Sequence, residues 1–276
     1  MKEIHRSKNT YCAYIGPEAA DYDIIVHNLN QITPATIDIA RSNRADRLAR
    51  LALDEAAARG EKRKLDEFAI DVNTVAATDV VFRVMTWEHV PINEESRPVI
   101  IEPTDDDTVY IEYDDDDAKA VPVKYVKCNF PPFQHYKITA NNEPYCVGKS
   151  HWRGDLETGS WSRDHGTMTR TLATMFMKLC ERYATRSNWR GYTYNDEMRS
   201  QALLQLSQIG LQFDESKSQN PFAYYTAAIT NSFTRVLNIE KRNQNLRDDI
   251  LELNGFNPSY TRQGMNMGHS HDGDHD

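Results

Sequence analysis

The spacing of apolar residues changes character along this chain, and that change most limits the folds open to it. Around residues 78–128 the pattern is that of strands. Val80-Val81-Phe82-Arg83-Val84-Met85-Thr86-Trp87 is a β-branched and aromatic run, and Val109, Ile111 and Tyr113 alternate with Tyr110 and Glu112. From residue 172 the step becomes three to four, so that Leu172, Met175, Phe176, Leu179 and Tyr183 share one side of a helix. One uniform architecture cannot satisfy both periods. The expected fold class is α+β: an N-terminal helix, a small antiparallel β module, and an all-α helical bundle toward the C-terminus. The expected segments are 1–72 with the helix, 73–134 as an acidic β-rich module and linker, 135–254 as the helical domain, and 255–276 as a disordered tail.

In the first segment Pro34 can open a helix over 35–59, with Ile37, Ala40, Leu48, Leu51 and Ala52 roughly on one stripe and Gly60 as its stop. Lys62–Phe68 either continues that helix or turns back on it. Further strands are expected at Val99–Ile101, Val109–Tyr113 and Val121–Lys127. The acidic runs Asp105–Asp107 and Asp114–Asp117 read as solvated hairpin loops, because consecutive carboxylates cannot all point at one calcium ion. The His-rich tail from Gly268 to Asp276 carries metal-binding atoms but no core to fix their geometry. No metal and no cofactor is expected.

Composition narrows the function classes. No apolar run approaches the roughly 18 residues of a membrane span, and no basic-then-apolar leader opens the sequence. The four cysteines are far apart with no Cys-x-x-Cys, which points away from a zinc ribbon and from a disulfide framework. The formal charge of −9 is unevenly spread. Residues 1–150 carry 18 Lys/Arg against 26 Asp/Glu, residues 151–247 carry 13 against 9, and residues 248–276 carry 1 against 6. A basic block between acidic flanks marks one segment suited to a polyanion.

The helical half holds the binding chemistry. A second helix is expected from about Asn195 to Leu211, with Met198, Ala202, Leu203, Leu206 and Ile209 inward and Glu197, Gln201, Gln205 and Gln208 on its polar face. Asn220-Pro221 then opens a third helix, Asn as cap and Pro at the first position. On it Phe222, Tyr225, Thr226, Ile229, Phe233 and Val236 are expected to pack inward. Tyr224, Ala228, Asn231, Arg235, Asn238 and Arg242 form a second stripe at helical spacing. Tyr, Asn and Arg are the side chains that stack on bases, read base edges and hold phosphates.

Residues from about His135 to Leu253 resemble the late-transcription sigma factors of T-even-type bacteriophages, reduced relatives of bacterial primary sigma factors. The matching residues are Trp152, Leu172 through Tyr183, Gly191-Tyr192-Thr193, Gly210-Leu211-Gln212-Phe213-Asp214-Glu215-Ser216-Lys217, Asn220-Pro221-x-Ala223-Tyr224-x-Thr226 and Asn231-x-Phe233. The resemblance implies a sigma region-two-like bundle that binds core polymerase and opens a promoter, in the cytoplasm of an infected bacterial host. It implies that Glu197, Ser200, Gln201, Gln205 and Gln208 dock on the clamp coiled coil of the largest subunit of the host RNA polymerase core. It implies that Tyr224, Tyr225 and Phe233 capture unpaired promoter bases, and that Arg235, Asn238, Lys241 and Arg242 meet the upstream edge of an AT-rich element. Helical spacing alone also allows Tyr225 and Phe233 to be core.

The chain departs from the family in its first 130 residues, in lacking a second DNA-binding helix-turn-helix, and at its C-terminus. The family ends in an epitope for the phage sliding clamp, a possible partner here together with a co-activator. The nearest match, Asp248–Leu253, reads first as the end of the third helix, its Ile250 and Leu253 continuing a packing stripe. No Walker A loop, nucleophile elbow or His-Glu-x-x-His is present, so no catalytic residue is assigned and enzyme chemistry is not expected. Two other classes stay open: a polymerase-binding co-activator or anti-sigma protein that does not read DNA, and a phage structural or assembly protein.

Overall fold

A computed structural model of the chain describes residues 1–93, 125–164 and 168–269. The fold is α+β and divides into two compact units. The first comprises residues 1–167 and 211–219, the second residues 168–210 and 220–276. The boundary expected at residue 135 therefore falls at 167.

In the first unit a short helix α1 (Lys2–Asn9) precedes strands β1 (Cys12–Tyr14) and β2 (Ile24–Val26). The long helix α2 (Pro34–Ala58) follows, then β3 (Phe82–Met85), β4 (Phe133–Ile138) and β5 (Pro144–Ser150). A small hairpin of β6 (Trp152–Arg153) and β7 (Ser160–Trp161) ends the strand series. The main sheet has the order β1-β5-β4-β3-β2. Its pairings are antiparallel except β2 with β3, which are parallel.

The strand expected at Val80–Trp87 is β3, but the sheet is not the separate antiparallel module of residues 78–128. Its other strands come from residues 12–26 and 133–150, the latter placed by the sequence in the linker and the helical domain. The acidic runs, Val99–Ile101 and Val109–Tyr113 lie outside the described residues, as does Val121–Lys127 up to residue 124. Tyr125 makes an isolated bridge to Ile92.

Helix α2 is set by local chemistry. Thr33 and Thr36 form a reciprocal cap, Pro34 fills the first position, and Gly60 adopts φ +80° just past the end. The chain turns back there, and Leu65–Phe68 forms a 3-10 turn. The buried side of α2 is Ile37, Ala40, Ala45, Ala49 and Ala56. Leu51, expected on the inner stripe, is exposed. Ile37, Ala40 and Ala45 pack with Val26, Val75, Val80, Phe82, Val84 and Ile138 in one core. Because strand side chains alternate, Arg83 points to the opposite face from Phe82 and Val84.

That opposite face buries charge. Lys8 donates to the Phe213 carbonyl at 2.5 Å and to Glu215 at 2.7 Å. Arg83 donates to Asn9 at 2.9 Å, to His135 at 2.9 Å and to Glu215 at 3.5 Å. The guanidinium also lies over the rings of Tyr22 and Phe133. His135 accepts from Arg83 at Nε2 and donates from Nδ1 to the Ala19 carbonyl, which fixes a neutral imidazole. Burial, then the Arg83 charge, holds its pKa well below the ordinary value. Residues 211–219 are thus part of the first unit because Lys8 and Arg83 hold them.

The second unit is helical: α3 (Arg170–Ala184), α4 (Asn195–Ile209), α5 (Pro221–Leu253) and α6 (Tyr260–His269). The tail expected to be disordered from 255 is helical at Tyr260–His269. Asp248 accepts from the Ser259 backbone and hydroxyl at 2.8 and 2.7 Å, and Arg262 pairs with Asp249 and Glu252. Among the described residues, no helix is long and apolar enough to cross a membrane.

Candidate nucleic-acid interface

Helix α5 begins where the sequence places it. Asn220 Oδ1 accepts from the Ala223 N–H at 3.2 Å and Pro221 occupies the first turn. Tyr225, Ile229, Ser232, Phe233 and Val236 then form the buried face. Phe222, expected inward, is exposed. Facing this side are Leu172, Phe176, Cys180 and Tyr183 of α3 and Met198, Ala202 and Leu206 of α4. Met175, also expected inward, is exposed.

Two residues assigned to base capture lie inside this packing. Tyr225 is buried with its ring edge-on to Phe176 at 4.7 Å, and its hydroxyl donates to the Gly210 carbonyl at 2.6 Å. Phe233 is fully buried, edge-on to Tyr183 and Trp189. Their spacing with Ile229 and Val236 puts them on the core side, so neither presents a ring to a ligand. Tyr224 is the remaining aromatic of the set. It is half-buried with its ring 5.4 Å from Tyr225, and partial burial pushes its pKa up.

The polar stripe is exposed. Asn231, Arg235, Asn238, Lys241 and Arg242 all face solvent. Among the described residues, no carboxylate lies within ion-pair distance of Arg235, Lys241 or Arg242. The sequence explains this, because the neighbours of Arg235 three and four positions away are Asn231, Ser232, Asn238 and Ile239. A groove of about 560 Å³ runs along the stripe, lined by Asn231, Thr234, Arg235, Asn238, Ile239 and Arg242.

On α4, Glu197, Ser200, Gln201 and Gln208 are exposed and Gln205 is half-buried. Ser200 donates to the Asp196 carbonyl, and Gln201 donates to Glu197 at 3.1 Å. A second groove of about 410 Å³ joins this face to α5. Gln201, Gln205 and Ile209 form one wall, and Tyr224, Ala228, Asn231 and Arg235 the other. The structure therefore brings two of the five residues expected to dock on polymerase beside the stripe expected to meet DNA, while Glu197, Ser200 and Gln208 lie outside that groove. Sequence reasoning missed Ala227, Thr234 and Ile239 as lining residues. Their three- and four-residue offsets from Asn231 and Arg235 carried the signal.

The arrangement can stack one base on Tyr224, present amides from Gln201, Gln205 and Asn231, and hold phosphates with Arg235, Lys241 and Arg242. It has no assembled acid–base pair or nucleophile. Among the described residues, no group of three His, Cys, Asp or Glu side chains could hold a metal ion. No protein-family model, curated protein or solved structure matches the chain.

Proposed function

We propose that the chain is a phage-encoded sigma factor that directs host core polymerase to late promoters, docking through α4 and reading promoter DNA through α5. The observation that carries this reading is the stripe of half-buried Tyr224 and exposed Asn231, Arg235, Asn238 and Arg242, its cations paired with no carboxylate among the described residues, along a groove shared with the polar face of α4. From Tyr224 to Arg242 a helix rises about 27 Å, the length of about eight stacked nucleotides. One face of α5 thus spans a short promoter element.

The energetics assign the polymerase a share. Separating a duplex costs about 1.4 kcal/mol per base step, and stacking a freed base on an aromatic ring returns about 1–3 kcal/mol. With Tyr225 and Phe233 in the core, Tyr224 alone offsets about one or two steps. Opening beyond that needs polymerase contacts, which fits a protein that binds polymerase and DNA from neighbouring faces.

The test mixes the protein, host core polymerase and a late-gene template. Transcripts that start just downstream of an AT-rich element are the expected result. Tyr224→Ala and Arg235→Ala should lose promoter opening, read by permanganate reactivity of unpaired thymines, while keeping core binding. Variants that open promoters as well as wild type would refute DNA reading by α5 and favour the co-activator alternative.

A further inference from the structure

Past the bundle, α5 runs on to Leu253 with two unlike faces. Its rear face is taken by α6 and the turn before it: Gln244 and Asp248 bond Ser259, and Asp249 and Glu252 pair with Arg262. The opposite face is apolar and, among the described residues, uncovered, with Ile239, Leu246, Ile250 and Leu253 exposed by 47, 58, 51 and 85%. At 100° per residue these four and Asn243 fall within an arc of about 80°, with Asp248 diametrically behind. Their order is a heptad seam: Asn243 and Ile250 at one core position, Ile239, Leu246 and Leu253 at the other.

We infer that this seam binds a second copy of the chain, as an antiparallel two-helix pair about an axis between Gln244 and Asn245. Charge selects the occupant and its direction. In the antiparallel arrangement Ile239 layers against the partner's Ile250, and Asn243 against the partner's Leu246. The flanking positions then pair Glu240 with the partner's Arg247, twice by symmetry, and set Arg242 beside the partner's Asp249, a carboxylate that Arg262 of its own chain already holds. Every flanking contact is between opposite charges. A parallel pair would instead set Arg242 against the partner's Arg247, a repulsion that offsets the single attraction of Arg235 for the partner's Glu240. Only about two heptads are available, so the dimer is weak and concentration-dependent. Because Ile239 and Arg242 also line the stripe proposed to read promoter DNA, pairing of two copies and DNA binding exclude each other there.

Sedimentation velocity on the full chain over a micromolar-to-millimolar series tests the proposal. Wild type should move from monomer to dimer, and Leu246→Glu or Ile250→Glu should stay monomeric with unchanged circular dichroism. Arg247→Glu should raise the dimer dissociation constant about tenfold by facing the partner's Glu240, and adding Glu240→Lys should restore it. A wild-type monomer throughout the series overturns the proposal. So does a dimer indifferent to Leu246→Glu, or one that Arg247→Glu tightens. Protection of residues 239–253 from hydrogen exchange only when core polymerase is added also overturns it, and assigns the face to the polymerase.

Discussion

Replacing Glu215 by Gln removes one buried negative charge and almost no volume, so its effect isolates the charge. The Glu215 side chain is 1% exposed and faces Lys8 at 2.7 Å and Arg83 at 3.5 Å, both fully buried, with His5 at 3.7 Å. At an effective dielectric of about 20 the Lys8 contact is worth about 6 kcal/mol gross. Desolvating the ions offsets several kcal/mol, but removing one partner leaves the others buried and uncompensated, a loss of about 3–5 kcal/mol. Gln keeps an acceptor for Lys8, which places Glu215→Gln near 3 kcal/mol, at the low end of that range.

The pH dependence has a definite sign. Burial pushes the Glu215 pKa up, yet the Lys8 and Arg83 charges win and hold it below the ordinary 4.5. Its contribution is therefore present above about pH 4.5 and fades as the pH falls through the lowered folded value. Lys8 has a lowered pKa because burial outweighs the Glu215 charge. Without that charge its pKa falls further, so the variant should regain stability as the pH rises toward the ordinary lysine value. The assay is urea unfolding at several pH values read by tryptophan fluorescence, Trp87, Trp152 and Trp161 reporting the first unit. Adding Lys8→Met to Glu215→Gln should recover at least about 1 kcal/mol through the lost coupling. A Glu215→Gln variant within about 0.5 kcal/mol of wild type, with no trend in pH, would refute the charge cluster as the clamp on residues 211–219.

Three other outcomes follow from the second unit. Arg235→Ala with Arg242→Ala should weaken binding to promoter DNA at low salt and flatten the plot of log affinity against log salt by about 1.8, two lost phosphate contacts. An unchanged slope in a filter-binding titration would remove both residues from the interface. Asn220→Ala should cost about 1 kcal/mol of unfolding free energy through the lost cap on Ala223, with Asn220→Asp close to neutral. Gly210→Ala should destabilise the bundle by about 1–3 kcal/mol in thermal melts, because a Cβ there would sit 2.6 Å from the Phe176 ring and 2.7 Å from the Leu206 carbonyl.

What the sequence made legible was local. Asn220-Pro221 and Pro34 mark real helix starts, because capping is decided within four residues. The inward faces of α3 to α5 follow from spacing, and Phe222 fails because it lies in the first turn, where spacing does not guarantee a covering neighbour. The end of α5 at Leu253 was legible, but Ile250 and Leu253 do not pack within the chain as expected; they are exposed. The sheet was not legible. β1 and β2 are three residues each and carry no period, so distant partners define them, Ser150 for Cys12 and Phe82 for Ile24. Most of β4 and all of β5 fall within the expected helical domain because the resemblance to sigma factors begins near His135. The Lys8–Glu215 contact joins residues 207 positions apart, which no windowed pattern can reveal. Of the candidate site, the exposed stripe was legible, while the fate of Tyr225 and Phe233 depended on which neighbours their faces meet.

These burials change what the resemblance is evidence for. Its sharpest stretch, Gly210 to Lys217, has an internal explanation in this chain. Phe213 is 2% exposed, Glu215 closes the cluster of Lys8 and Arg83, and Gly210 is confined by Phe176 and Leu206. Residues held this way report packing and bear little on DNA. The positions that bear on it are those with no structural duty in the described fold: Asn231, Arg235, Asn238, Lys241 and Arg242. Packing does not require two bare arginines a helical repeat apart without a carboxylate neighbour, and an ordinary solvated helix face would pair them with Glu. The promoter-reading proposal therefore rests on these exposed cations and amides, and their removal tests it more directly than any change in the Gly210–Lys217 segment before α5.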